Sequence, residues 1–246
     1  MEKDNTYLFG IHSVYEALHS DRQIEKVYFR EGIDNPQIRE LLSIVRSKGV
    51  AYQFVPVEKL NSITNGRHQG VIAIMSKLDY TPIEKMVEDA LSTSKSPFII
   101  LLDGVSDVRN LGAIARSAEC AGVSGIILPA KGGANINADA IKTSSGALLR
   151  MPVAKATNLR VAVYYLSQCG FKIFVADEKS QKNIYDVDFK RPVAVIMGSE
   201  ERGVSESVAV LAEEKIKIPQ LGKIGSLNVS VAAAIIMYEA VRQKYA

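Results

Sequence analysis

Tryptophan is absent, and the 246 residues contain only 2 cysteines and 3 histidines. Each scarcity removes a class of chemistry. Cys120 and Cys169 are far apart in sequence, so neither a CxxC redox pair nor a thiolate zinc site is available, and both read as buried small apolar residues in helical patterns. His12, His19 and His68 all lie in the first third of the chain, so any chemistry beyond it proceeds without imidazole. No G-x-G-x-x-G opens either half, and neither G-x-x-x-x-G-K-[ST] nor G-x-S-x-G occurs, which argues against dinucleotide binding, triphosphate hydrolysis and triad hydrolysis. Without a cluster of His, Cys or carboxylates, no metal is expected. No apolar run approaches the roughly 18 residues of a membrane span, and the N-terminal MEKDNTYLFG has no long apolar core, so a cytoplasmic protein away from membranes is expected.

What is present suits a globular protein of two modest domains or one large one: 47% hydrophobic and 23% charged residues. The net charge is +3. Residues 1–80 carry 10 basic and 10 acidic side chains, residues 96–246 carry 18 and 14, and this mild basic excess permits a nucleic-acid partner without demanding one.

Along the first 80 residues helix and strand signals alternate. IHSVYEALHS and NPQIRELLSIVRSKG have helical spacing, while KVYFRE, VAYQFVP and GVIAIMSKL read as strands. Residues 81–96 hold a short amphipathic helix and then Ser, Thr, Lys and Pro, the composition of an interdomain connection. From residue 97 to 246 the pattern restarts. FIILLD, SGIILP, FKIFVAD, PVAVIMGSE and KIKIP are apolar runs suited to strands buried on both faces. LGAIARSAECAG is a helix with Leu111, Ile114, Ala115 and Ala118 on one side and Gly122 just past its end. A mostly parallel sheet covered by helices, preceded by a small α/β domain, is the expected fold.

Ligands of open α/β sheets bind beyond the carboxyl ends of the strands. Three loops there combine glycine with polar groups: GVSDVRN after FIILLD, GSEERG after VAVIM, and QLGKIGSLN after KIKIP. Read singly, each is equally well a simple turn.

Together, LDGVSDVRNLGAIARSAECAGV, VIMGSEERGV and IPQLGKIGSLNVSVAAAIIMYEAVRQ resemble, in order and spacing, the three signature motifs of the SpoU (TrmH) branch of the SPOUT RNA methyltransferases. YLFGIHSVYEAL and RHQGVIA resemble the small domain, similar to ribosomal protein L30e, that precedes the catalytic domain in bacterial rRNA guanosine 2′-O-methyltransferases. The resemblance implies methyl transfer from S-adenosylmethionine to a ribose 2′-hydroxyl of RNA. It further implies a deep C-terminal trefoil knot, a homodimer formed through the knot region, and an L30e-like RNA-binding domain over residues 1–80. By motif position, the cofactor-binding residues are Met197, Gly198, Ile218, Leu221 and Leu227. The catalytic centre takes Asn110, Arg116, Glu200, Ser226 and Asn228.

Each catalytic assignment has a structural rival. Asn110 suits the N-cap of a helix starting at Leu111, and Ser226 or Asn228 suits the cap of the last helix. Arg116 is equally readable as a surface charge, and Glu200 as a residue at a helix start, where negative charge is favoured. Arg67, His68 and Gln69 form a polar turn that either contacts RNA or only shapes the turn. The chain departs from the usual motifs at Val108, Arg109, Glu201 and Gln220, and Arg109 and Glu201 border the expected RNA entrance. These departures bear on the substrate, with a guanosine of large-subunit rRNA set against tRNA or another rRNA site. An RNA-binding scaffold without catalysis is the reading from a different class.

Overall fold

The computed structural model describes residues 7–19, 24–64, 67–75 and 80–245, and the chain divides into two compact units, Met1–Asp79 and Tyr80–Ala246.

The first unit runs β1 (Tyr7–Phe9), α1 (Ile11–His19), β2 (Ile24–Arg30), α2 (Pro36–Ser47), β3 (Ala51–Val55), α3 (Val57–Ile63) and β4 (Val71–Met75). Its sheet has the order β1-β4-β2-β3, with only β2 and β3 parallel. The two-residue period of the strands divides their side chains between two cores. Val27, Phe29, Val71 and Ala73 face α1 and α2, packing with Val14, Leu18, Leu41 and Val45. Ile72 turns the other way, against Leu60 of α3. Asn35 caps α2 by accepting from Ile38 N at 2.7 Å, and Pro36 occupies the first turn, where its missing N–H costs nothing.

The second unit contains α4 (Ile83–Thr93), β5 (Phe98–Asp103), α5 (Val108–Cys120), β6 (Gly125–Pro129), α6 (Ala138–Thr143), β7 (Val153–Ala156), α7 (Leu159–Gln168), β8 (Lys172–Ala176), β9 (Val193–Gly198), α8 (Glu206–Ala209), β10 (Glu214–Ile216) and α9 (Val229–Tyr245). The six strands are all parallel in the order β10-β8-β9-β5-β6-β7. Layers of helices enclose the apolar runs, and Ile99, Leu101, Ile173, Val175, Ala194 and Ile196 lie in one buried cluster. The chain builds outward from β5 to β6 and β7, then crosses to β8 and β9. Adjacent β5 and β9 therefore mark the point where the winding reverses, and their last residues, Asp103 and Gly198, are paired.

Three expectations change. Segment 81–96 is more than a connection: α4 inserts Met86 and Val87 into the core of the second unit, where its apolar face finds partners the segment itself does not contain. Helix α5 starts at Val108, three residues earlier than the apolar pattern suggests, because Asp107 accepts from Arg109 N at 2.6 Å and is the cap. Cys120 is exposed, and Cys169 is only half-buried against the core of the second unit. No helix among the described residues is long and apolar enough to cross a membrane.

Candidate active site

The loops that follow β5 and β9 are tied at their base. Asp103, the polar end of an apolar strand, accepts from Ser205 N at 2.8 Å, so the first motif holds the second. Residues 199–203 fold back in a tight turn, with Ser199 N to Gly203 O at 3.1 Å and Gly203 N to Ser199 O at 2.8 Å. That turn lies directly over Gly198. A Cβ there would meet Gly203 C at 2.0 Å and Val204 N at 2.1 Å, so only glycine fits.

Glu200, at the crest of this turn, lies outside any helix, since α8 begins only at Glu206. Its Oε1 accepts from Asn110 Nδ2 at 2.9 Å and Asn228 Nδ2 at 2.8 Å, and Asn228 Nδ2 also reaches Asn110 Oδ1 at 3.0 Å. One residue from each of the three loops thus meets in a single network. With Asp107 as the cap, Asn110 lies in the first turn of α5, and its side chain is free to cross to the second motif. Asn228 uses both ends of its amide. Its Oδ1 caps α9, accepting from Ser230 N at 2.9 Å and Val231 N at 3.4 Å, while its amide nitrogen serves the network.

Beside the network, a cavity of about 440 Å³ is lined by Met197, Gly198, Glu200, Ile218, Ser226 and Leu227, closed by Val229, Ala232 and Ile236 of α9. Four of the five expected cofactor residues therefore surround one space. Leu221 does not: it is fully exposed and outside the lining. Loop 219–228 is exposed throughout. With its side-chain nitrogen turned inward, Gln220 donates to the carbonyls of Ile224 at 3.1 Å and Gly225 at 2.9 Å and closes the loop on itself.

Arg116 is exposed, with no side-chain hydrogen bond among the described residues, and stands with exposed Arg109 on one face of α5, seven residues apart. Two polar groupings were not anticipated from the sequence, and the first of them, Asp177 with Lys179 and Lys215, lines the cavity. Burial opposes the charge of Asp177, but hydrogen bonds from Lys179 N at 2.9 Å and from Lys215 Nζ at 3.0 Å outweigh it, and the carboxyl stays below its ordinary range. Hydrogen bonds from Lys172 and Lys182 hold the Glu214 carboxyl below its ordinary range and fasten β10 to the sheet. No group of three or more His, Cys, Asp or Glu that could hold a metal ion is found among the described residues.

In the first unit the polar turn before β4 serves its own backbone. Gln69 Oε1 accepts from Ile11 N at 3.0 Å, and His68 accepts from Gly70 N at 3.0 Å and contacts Asn61 Oδ1 at 2.9 Å. Of the three residues expected at RNA, only Arg67 is left with an exposed side chain and no such role.

Residues 97–238 match the SpoU rRNA Methylase family, and residues 7–81 match the RNA 2'-O ribose methyltransferase substrate binding family. A Bacillus subtilis (strain 168) protein named "Putative TrmH family tRNA/rRNA methyltransferase YacO" is 32% identical over 99% of this chain and 98% of its own length. The AdoMet-bound rRNA methyltransferase from Sinorhizobium meliloti is 25% identical, with a TM-score of 0.59 over 97% of this chain and 87% of that one. The A. aeolicus TrmH/SpoU tRNA modifying enzyme is 30% identical, with a TM-score of 0.57 over 66% of this chain and 84% of that one. This chain belongs to the SpoU/TrmH family of RNA methyltransferases, which use S-adenosylmethionine.

Proposed function

We propose that this SpoU-family protein methylates a ribose 2′-hydroxyl in RNA, with a guanosine of large-subunit rRNA as its target. The observation that carries the reading is the network of Asn110, Glu200 and Asn228 at the edge of the cavity, drawn from three separate motif loops. The residues present fit S-adenosylmethionine. The volume lies within the roughly 300–1,000 Å³ of small-molecule sites. The close backbone approach at Gly198 and the apolar walls of Met197, Ile218 and Leu227 suit a cofactor recognised through main-chain groups. When bound, it supplies a methyl group activated by a positively charged sulfur.

The remaining work falls to the chain. Its second unit has no histidine to accept the hydroxyl proton, and the Arg116 guanidinium keeps its own proton, its pKa lying above about 12. Arg116 therefore acts as a clamp: its planar fork holds a phosphate next to the target ribose and stabilises negative charge as it develops on the 2′-oxygen. Proton loss comes late and passes to water or that phosphate. Ser226 and Asn228 orient the ribose against the cavity, and Arg109, on the Arg116 face of α5, extends the backbone contact. Arg67 adds a contact from the substrate-binding unit. A looped or single-stranded RNA is the form that brings a 2′-hydroxyl to a recessed site.

The proposal includes a trefoil knot made as the segment ending in α9 passes through the chain, and a homodimer. Supporting the dimer, Val231, Ala234, Ile235, Tyr238 and Tyr245 run along the outer side of α9, of which Val231, Tyr238 and Tyr245 are exposed. An rRNA target is favoured by the family description as rRNA methylases over residues 97–238, and the substrate-binding match over residues 7–81 supports an RNA partner. The test is to map ribose methylation across rRNA and tRNA in a deletion strain, then restore wild type or Asn228→Ala. One rRNA guanosine mark, lost and restored only by wild type, is the expected result. A lost tRNA mark overturns the target, and no lost mark overturns the activity.

A further inference from the structure

We propose that Ser230 is a positioning residue of the methyl-transfer site, holding the Asn228 amide in place together with the first N–H groups of the helix and so presenting the Glu200 carboxylate; this rests on the methyl-transfer reading above. The two ends of an asparagine amide are nearly alike in shape and are told apart by their hydrogen bonds. At Asn228 the oxygen meets donors only: Ser230 Oγ at 2.6 Å, Ser230 N at 2.9 Å and Val231 N at 3.4 Å. The hydroxyl makes the shortest of the three contacts. In the first turn of α9 it has no helical carbonyl four residues back to bond instead, so Asn228 is its natural acceptor.

With that end held, the NH2 group must point to Glu200 Oε1 at 2.8 Å and Asn110 Oδ1 at 3.0 Å. Asn110 donates to the same Glu200 oxygen at 2.9 Å, which leaves Oε2 without a hydrogen-bond partner among the described residues, on a side chain that lines the cavity. If the Asn228 amide turned over, its oxygen would face two acceptors. Burial does not prevent that rotation, because Asn228 and its contacts to Asn110, Glu200 and Ser230 are exposed and water competes for each donor. The backbone N–H groups of Ser230 and Val231, which can only donate, set the direction of the amide, and the Ser230 hydroxyl, placed by the helix, adds the short bond that holds it there.

The test compares wild type, Ser230→Ala and Ser230→Thr by two measurements. The first is methyl transfer from radiolabelled S-adenosylmethionine to total RNA of a deletion strain, with cofactor affinity measured by calorimetry. The second follows the side-chain NH2 resonances of Asn228, identified by their disappearance in Asn228→Asp. Ser230→Ala is expected to lower kcat on the order of tenfold to a hundredfold, the effect of lost orientation, with KM and cofactor Kd within about twofold. Its Asn228 NH2 resonances should move toward those of a free amide, and Ser230→Thr, which keeps the hydroxyl, should restore both readouts. Unchanged NH2 resonances in Ser230→Ala overturn the proposal, as does a loss that threonine fails to rescue or that falls only on KM. If wild type itself transfers no methyl group, the functional reading fails, and the resonances still decide whether Ser230 orients Asn228.

Discussion

Arg67-His68-Gln69 and Ser226-Leu227-Asn228 look alike as sequence, each a polar turn leading into an apolar element, yet their side chains do opposite things. Gln69 and His68 bond groups within their own unit, at the start of α1 and the end of the turn itself. Asn228 gives its oxygen to the helix that follows and its nitrogen to residues 28 and 118 positions away. The first turn ties its own unit together through backbone groups. The second leaves a carboxylate oxygen and an exposed loop beside a cavity. Gln69 satisfies backbone and so holds shape, whereas Asn228 joins the side chains of separate loops at a sheet's switch point, where ligands of such sheets bind.

The sharpest way to break this comparison is Asn228→Asp. Aspartate caps a helix as well as asparagine does, so the melting temperature should stay near wild type. It cannot donate to Glu200, and it sets a second carboxylate against the first, so kcat should fall by about a hundredfold or more. An active Asn228→Asp enzyme would reduce Asn228 to a cap, no different in kind from Gln69.

Next in size is Arg116, which the comparison treats as a side chain kept free for a ligand. Arg116→Ala should lower kcat/KM for RNA by about a hundredfold while leaving the melting temperature unchanged, because the exposed side chain has no hydrogen bond among the described residues to lose. Arg116→Lys should recover little, since an ammonium lacks the planar fork. Near-normal transfer by the lysine variant would rule out a bidentate clamp.

How much of this could be read in the sequence depends on how local its causes are. The strands β5 and β9 were legible because burial on both faces leaves a continuous apolar run, and the three motif loops because glycine and polar residues follow those runs directly. The partner of α4 was not legible: its amphipathic pattern was plain, but Met86 packs where Gly125 leaves room, since a Cβ there would lie 2.4 Å from the Met86 sulfur. The four-residue β7, interrupted by Lys155, is too short to show a period, and it was missed. The cap of α5 was misplaced because Asp107 and Asn110 are both good capping residues, and only the backbone decides between them. The network at Glu200 was reachable through motif resemblance alone, as no local pattern links residues 110, 200 and 228.

A third prediction uses the other end of α9, where polar groups are closed up as they are around Gln69. Gln243 donates to Val187 O and Glu239 Oε1 and accepts from Phe189 N at 2.9 Å, and the buried Glu239 is bonded by Arg242 through both oxygens at 2.8 Å. The Arg242 hydrogen bonds hold the Glu239 carboxyl below its ordinary value, against the opposing effect of burial. A carboxylate lowered in the folded state stabilises the fold above its unfolded pKa, near 4.5, and that contribution disappears as pH falls through the lower folded value. Glu239→Gln should therefore cost about 1–2 kcal/mol at pH 7 and flatten the acid limb of a stability-against-pH curve. A parallel shift of the whole curve would mean that the charge of Glu239 plays no part.

The smallest effect tests the first turn itself. Gln69→Ala removes the acceptor at Ile11 N, a group in the first turn of α1 that has no partner within its helix. Glutamine already carries a Cβ at a φ of +50°, so alanine adds no backbone strain of its own. Loss of the acceptor should lower the stability of the first unit by about 1 kcal/mol, read as an earlier unfolding transition in urea, with kcat for methyl transfer unchanged. Gln69→Gly loses the same oxygen but relieves the backbone, so it should cost less than alanine. If either variant keeps full stability yet raises KM for RNA several-fold, Gln69 is a substrate contact, and the two polar turns belong to the same kind after all.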